Sequence, residues 1–389
     1  MKKIAILGST GSIGNSTLNV IEANPGVFSI TLLSAESNVD SIFNQIKKFK
    51  PKYVYLNDDS SSKELNSRLS SENLKTSLLN ERDYLDTIAS NDVEIVVAGV
   101  VGIAGLKSIH KAVSAGKRIL LANKEAYVVA GELLNTLAEL NESTIFPIDS
   151  EHSAIHQCLS GKKDTPVGVK KIILTGSGGP FLNRNLKEFI HITPEEAVRH
   201  PVWKMGKKIS VDSANLMNKI FEIMEANRMF NFDLKKYKIL IHPQSYVHTI
   251  IKFKNGLIKM LLHDTDMKIP IFNSIYDKKI KYISSKKINS KTLNNLNFYE
   301  VDKIKFPSIK LLKKISKENT LYDTVITIAN DELVKLFLQH KISLRQIVEN
   351  LTKIINLKEY KKYFSKKPTS LNKILKVSEL VRLKTKSIS

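Results

Sequence analysis

Two carboxylates stand two residues apart in Asp149-Ser150-Glu151-His152. In extended chain, side chains two apart point to the same side, so Asp149 and Glu151 could share one cation. Their oxygens suit a hard, octahedral ion such as Mg²⁺ or Mn²⁺. A capped helix start accounts for the same residues without any metal. A second set lies in Ser210-Val211-Asp212-Ser213-Ala214-Asn215-Leu216-Met217-Asn218-Lys219-Ile220-Phe221-Glu222, where Ser213 falls at the expected beginning of a helix. Glu222 follows Asn218 by four residues and Lys219 by three, which puts the three on one helix face. That face joins a carboxylate ligand to an ammonium and an amide suited to a phosphate. A solvated charged face has the same composition.

Gly8-Ser9-Thr10-Gly11-Ser12-Ile13-Gly14 follows an apolar run and opens a helical one. Glycines allow a tight turn and the close approach of a pyrophosphate, and the helix N-terminus supplies N–H donors. The spacing is G-x-x-G-x-x-G; a plain glycine-rich turn is the competing account. Leu121-Ala122-Asn123-Lys124-Glu125 would point into the same crevice, or simply start a helix capped by Asn123. Leu174-Thr175-Gly176-Ser177-Gly178-Gly179-Pro180-Phe181 could hold an oxyanion on its N–H groups and the Ser177 hydroxyl, or be a structural turn. Arg199-His200-Pro201-Val202-Trp203-Lys204-Met205-Gly206 contains the single tryptophan of the chain; a lid and a buried loop both fit it. In His242-Pro243-Gln244-Ser245-Tyr246-Val247-His248 the histidines are six apart, which suits core or supporting roles.

The elements that must position these residues follow from periodicity. Lys3–Leu7, Ile30–Leu33, Tyr53–Leu56, Glu94–Ala98, Arg118–Leu121 and Thr144–Ile148 read as buried parallel strands. Asn15–Ala23, Val39–Phe49 and Lys124–Leu140 read as helices between them. The alternation predicts an α/β fold with a doubly wound parallel sheet over 1–149 and ligands at the carboxyl ends of its strands. From 150 to 276 the pattern is α+β, with strands at Lys171–Leu174, Lys238–Ile241, His248–Phe253 and Leu257–Leu262, the last two joined by a hairpin at Lys254-Asn255-Gly256. A polar connector covers 277–302. Over 303–389 the segments Ser308–Lys317, Tyr322–Leu338, Leu344–Ile355 and Leu371–Lys384 have helical spacing and predict a C-terminal helical bundle.

Composition narrows the class. A chain of 389 residues with 42% hydrophobic residues builds two or three domains rather than one core. The lone Cys158 forms no internal disulfide and fits a reducing compartment. No apolar run is long enough to span a membrane, and Ile4-Ala5-Ile6-Leu7 is too short for a signal peptide. The net charge of +22 invites nucleic acid as a partner. The excess is scattered lysine accompanied by Ile and Asn, without an RNA-binding or zinc-finger signature, so compositional drift is preferred.

Taken in order, 8–14, 120–125, 149–152, 175–181, 199–206, 210–219 and 242–245 resemble the 1-deoxy-D-xylulose 5-phosphate reductoisomerase family across essentially the whole chain. Ile328-Ala329-Asn330-Asp331-Glu332 is similar to part of that family's helical domain. The resemblance implies a Rossmann-like NADPH domain, a central catalytic and dimerisation domain, a homodimer, a cytoplasmic location and a sugar-phosphate substrate. It implies that Asp149, Glu151 and Glu222 hold Mg²⁺, Mn²⁺ or Co²⁺. It further implies that Ser177, Ser213, Asn218 and Lys219 bind the substrate phosphate, that Ser150, Lys124 and His200 contact the substrate, and that Trp203 and Met205 close over it. Thr10, Gly11, Ser12, Ile13, Asn38, Asn123, Glu125 and Gly206 would line the NADPH site, with His152 and His248 in support. Lys124, Glu151, His200 and Glu222 are the implied catalytic set. One departure stands out: where members often carry Gly-Lys-Asn after the second strand, this chain has Ala35-Glu36-Ser37-Asn38. A glutamate there repels a 2′-phosphate and can bond a free ribose hydroxyl, so a weakened NADPH preference is expected. A metal-free NAD(P) dehydrogenase and a nucleic-acid-binding protein are the alternatives.

Overall fold

The computed structural model describes residues 1–159, 168–203, 205–276, 282–286 and 289–388. Lys204, and residues 277–281 and 287–288 of the expected connector, lie outside the described residues. Two units are distinguished. The first comprises Met1–Ala126, Leu134–Asp149 and a returning segment from Met267; the second comprises Tyr127–Leu133, Ser150–Asp266 and the described residues from Ser284 onward.

In the first unit seven strands form one sheet: β1 (Lys2–Leu7), β2 (Phe28–Ala35), β3 (Tyr53–Leu56), β4 (Ser77–Leu78), β5 (Ile95–Ala98), β6 (Arg118–Leu121) and β7 (Thr144–Pro147). Every pairing is parallel, in the order β4-β3-β2-β1-β5-β6-β7. The doubly wound sheet is therefore present. The chain winds outward from β1 to β4 and restarts at β5 on the other side of β1, so the direction reverses between Leu7 and Ala98, which are paired. Such a switch point opens a crevice at the strand ends. Ile4, Ala5, Ile6, Val96 and Val97 are wholly buried, as strands covered on both faces must be. Ile271, Phe272 and Ile275, on the helix Lys268–Tyr276, complete this core. Strand β4 has only two residues and no hydrophobic run announces it.

In the second unit a mixed sheet has the order β11-β10-β8-β9-β12, from β8 (Val169–Gly176), β9 (Tyr237–Ile241), β10 (Val247–Phe253), β11 (Ile258–Leu262) and β12 (Tyr299–Glu300). Gly256, at φ +90°, turns the expected hairpin between β10 and β11. The helices Ser150–Cys158 and Met217–Phe230 carry Glu151 and Glu222. Every residue of Met217–Phe230 except Asn218 is buried, so this is an interior helix and not an amphipathic surface one. The helices Leu321–Leu338, Leu344–Ile355 and Leu371–Ile388 form the C-terminal helical region. The expected helix over 308–317 is instead a 3₁₀ stretch, Pro307–Lys314, whose buried Ser308 and Leu311 stand three apart, the 3₁₀ repeat.

Candidate active site

Around the switch point, side chains are excluded by the backbone itself. A Cβ on Gly14 would meet the Ser9 Cα at 2.3 Å, and one on Gly8, which has φ +77°, would meet the Gly99 carbonyl at 2.9 Å. The turn then enters the helix Ser12–Glu22 from Gly11, whose N-cap position offers no side chain to its N–H groups. Those donors and the helix dipole make an anion site at the end of β1. Thr10 and Ile13 are half-buried, while Gly11 and Ser12 are exposed. Gln45 braces the turn: it accepts from Ser9 Oγ at 2.8 Å and donates to the Ser9 carbonyl at 3.0 Å.

Asn123 is buried and accepts the Ala126 N–H at 2.9 Å, capping the helix Lys124–Leu140, while its Nδ2 donates to the Gly102 carbonyl at 2.8 Å. Glu125, in the first turn, is buried as well. The Lys124 ammonium reaches Asp149 at 2.6 Å, with the two side chains only 6% and 10% exposed. Asn38 caps the helix Val39–Phe49 through Ser41 N–H at 3.1 Å. Glu36 is exposed and accepts from Asn57 Nδ2 at 3.0 Å.

In the second unit Glu151 and Glu222 present oxygens within 4.8 Å of each other. The geometry differs from the expected extended chain. Ser150 begins a helix, and Glu151 occupies its first turn, where a carboxylate is favoured by the dipole. Both glutamates close on Lys219: Glu222 Oε2 is 2.6 Å from Nζ, and Glu151 Oε1 also accepts from it. Burial works against the Lys219 charge, but the two carboxylates outweigh it and raise its pKa. Asn218 Nδ2 donates to Glu222 Oε1 and Ser150 Oγ to Glu151 Oε2. Gly176 makes room for this lysine, since a Cβ there would meet Lys219 Cε at 2.7 Å.

Ser213 does not begin a helix. It lies in the last turn of Lys207–Ala214, and Leu216, in the left-handed region at φ +61°, separates that helix from Met217–Phe230. The loop after β8 lies on this break: Gly179 (φ +70°) could not carry a side chain, because Ser213 O would be 2.8 Å from its Cβ. Ser177 Oγ accepts from Gly179 N–H at 3.1 Å and stands 3.0 Å from His200 Nε2. His200 Nδ1 accepts the N–H groups of Trp203 (2.9 Å) and Val202 (3.2 Å). Its proton therefore sits on Nε2 and is donated to Ser177, leaving the serine hydrogen to point elsewhere. Burial, with the nearby Lys219 ammonium, pushes His200 down to about 4. Trp203 packs edge-on against His248 at 6.1 Å between centroids, and His248 stacks on His263 at 3.7 Å. Burial and the neighbouring His263 hold His248 well below the usual imidazole range. Met205 is half-buried, and Gly206 is the exposed N-cap of Lys207–Ala214.

Three supporting residues escaped the reading of the sequence. Gln45 is one. Thr249, whose Oγ1 donates to the Glu151 carbonyl at 3.0 Å, is another, and no motif marks either. Glu225, fully buried and 3.3 Å from His152, had a signal: it continues the three-residue spacing of Lys219 and Glu222.

Three family models match the chain: 1-deoxy-D-xylulose 5-phosphate reductoisomerase over residues 4–131, the C-terminal domain of the same reductoisomerase over 145–230, and the DXP reductoisomerase C-terminal domain over 262–384. A 1-deoxy-D-xylulose 5-phosphate reductoisomerase of Pelagibacter ubique is 43% identical over 391 residues, covering 100% of each chain. The Psychromonas ingrahamii protein of that name is 40% identical over 368 residues, with 92% of each chain covered. Among solved structures, a DOX-P reductoisomerase in complex with NADPH, fosmidomycin and magnesium gives a TM-score of 0.94 at 33% identity, covering 100% of this chain and 98% of that one. The Zymomonas mobilis reductoisomerase in complex with NADPH gives 0.86 at 31% identity, with the same coverage.

Proposed function

Because this chain belongs to the 1-deoxy-D-xylulose 5-phosphate reductoisomerase family, it rearranges and reduces 1-deoxy-D-xylulose 5-phosphate to 2-C-methyl-D-erythritol 4-phosphate with NADPH and a divalent cation, and we propose which of its residues do so. The convergence of Glu151 and Glu222 on one buried ammonium carries the assignment. The carboxylates of half-buried Glu151 and buried Glu222, with Asp149 beside Glu151 in the chain, are the oxygen donor set that Mg²⁺ or Mn²⁺ takes, and Co²⁺ can use it too. The glycine turn, where side chains are sterically excluded, is the complementary cradle for the NADPH pyrophosphate. When bound, the cation supplies a Lewis acid for the substrate ketone, and the nicotinamide supplies hydride for the rearranged aldehyde.

The chain's own residues hold the substrate for those events. Ser177, Ser213, Asn218 and Lys219 bind the phosphate; Ser177 is oriented for it because His200 and Gly179 fill its acceptor positions. Anchoring a remote phosphate positions the reacting carbons. Ser150, Lys124 and His200 contact the substrate, His200 through its neutral ring while its Nε2–H holds Ser177. Trp203 and Met205 cover it and exclude water. Thr10, Gly11, Ser12, Ile13, Asn38, Asn123, Glu125 and Gly206 line the NADPH site, and His248 supports Trp203. Glu36 relaxes the preference for NADPH over NADH. The enzyme works in the cytoplasm as a homodimer. Ile258 and Met260, exposed on the edge strand β11, and the exposed Leu257 just before it support pairing through the second unit; light scattering should return twice the chain mass.

The decisive test is NADPH oxidation with 1-deoxy-D-xylulose 5-phosphate, with and without Mg²⁺. Turnover that requires both substrate and metal is expected. Turnover that survives complete chelation would favour a metal-free dehydrogenase.

A further inference from the structure

The interior helix Met217–Phe230 places Lys219, Glu222 and Glu225 three residues apart, and the proposed function uses only the first two. Glu225 and His152 are both fully buried. His152 Nδ1 stands 3.3 Å from Glu225 Oε2, and its Nε2 stands 2.8 Å from the Glu222 backbone carbonyl. A carbonyl can only accept, so Nε2 carries a hydrogen and donates it there; a carboxylate also accepts, so Nδ1 bonds Glu225 through a second proton held between Nδ1 and Oε2. The imidazole is thereby fixed at both nitrogens. His152 is also the residue after Glu151, in the first turn of Ser150–Cys158. One ring therefore ties the turn that presents Glu151 to the turn that presents Glu222. A buried carboxylate is costly unless it has a task, and an apolar residue would fill the space more cheaply.

We propose that Glu225, acting through His152, is a positioning residue that sets the separation of Glu151 and Glu222 and so the affinity for the divalent cation. The inference rests on the reading of those two glutamates as ligands. Residues that orient ligands from behind typically change metal affinity by about 10–100-fold when removed.

The test uses the full chain and Mn²⁺ alone, titrated by electron paramagnetic resonance, with NADPH affinity measured in parallel by fluorescence. Wild type that binds no Mn²⁺ would overturn the ligand reading itself. Given wild-type binding, Glu225→Ala should weaken Mn²⁺ about 10–100-fold while leaving NADPH affinity within about twofold. Glu225→Gln, which keeps a polar partner for Nδ1, should recover most of that loss. His152→Gln breaks the same tie from its other end. It should lose as much as Glu225→Ala, and the double variant should lose no more than either. If Glu225→Ala does not fold, His152→Gln and Glu225→Gln carry the test by the same criteria. Unchanged Mn²⁺ affinity in the folded variants, additive losses, or an equal loss of NADPH binding would each overturn the proposal.

Discussion

Replacing Arg228 with methionine removes the cation from a deeply buried ion pair of the second unit's interior helix. Arg228 Nη2 donates to Asp323 Oδ2 at 2.8 Å, with side-chain exposures of 3% and 0%. The guanidinium also donates to the carbonyls of Lys317 at 2.6 Å and Ser316 at 3.2 Å, and to Asn227 Oδ1. Asp323 Oδ2 keeps two further donors, Asn319 Nδ2 at 2.7 Å and Thr320 N–H at 3.1 Å, both of them uncharged. Burial pushes the Asp323 carboxyl up, and Arg228 is the chief force opposing it. Without the arginine, a carboxylate stays buried uncompensated, which costs about 3–5 kcal/mol. For a unit of this size each kcal/mol lowers the melting midpoint by about 2–4 °C, so a fall of roughly 6–20 °C is expected. Urea and thermal unfolding measure it. Arg228→Met/Asp323→Leu removes both charges and should recover most of the loss, since an apolar pair of similar volume is often no less stable. A single variant costing under about 1 kcal/mol, or a double variant no better than the single, would refute the reasoning.

Glu222→Gln should nearly abolish turnover with the melting midpoint kept near wild type, read by NADPH oxidation and calorimetry; near-normal activity would remove Glu222 from the ligand set. His200, depressed to about 4 by burial, should stay neutral from pH 5 to 8, so its own NMR titration should show no inflection there. The sign for stability follows: the unfolded chain takes up the proton first, so stability falls as pH drops from about 6.5 toward the folded value and is flat above it. An imidazole titrating near 6.5 would contradict this. The NADPH-to-NADH ratio of kcat/KM should rise in Glu36→Lys, and a strong wild-type NADPH preference would reject the role given to Glu36. Because Trp203 is the sole tryptophan, intrinsic fluorescence should shift when a phosphonate substrate analogue binds; an unchanged spectrum would argue against the lid.

The first sheet was legible because its strands are continuous apolar runs separated by turn residues, and Val39–Phe49 and Lys124–Leu140 were legible to the residue because capping asparagines precede both. Strand β4 was not, since two residues held by backbone pairing have no side-chain pattern. The segment over 307–314 misled because one turn of 3₁₀ and one of α bury nearly the same positions. At the candidate site, motifs singled out Glu151, Lys219 and Glu222, which the fold brings together, while local geometry escaped. Asp149 and Glu151 were grouped through an extended chain that is really a helix start, and Ser213 was set at the wrong end of its helix because nothing signals the left-handed Leu216. Thr249 meets Glu151, a residue distant in sequence, a relation that single-chain periodicity does not encode, whereas Glu225 continues the spacing of Lys219 and Glu222 and was passed over.

The helix Lys268–Tyr276 has a consequence for how the molecule is made. Ile271, Phe272 and Ile275 belong to the same core as Ile4, Leu18 and Leu33, yet they leave the ribosome long after β7. Translation at about 5–20 residues per second therefore keeps the amino-terminal sheet waiting with part of its apolar face bare. A nascent chain in that interval is a natural client for a chaperone, and a fragment stopped at Asp149 would never outgrow the need for one.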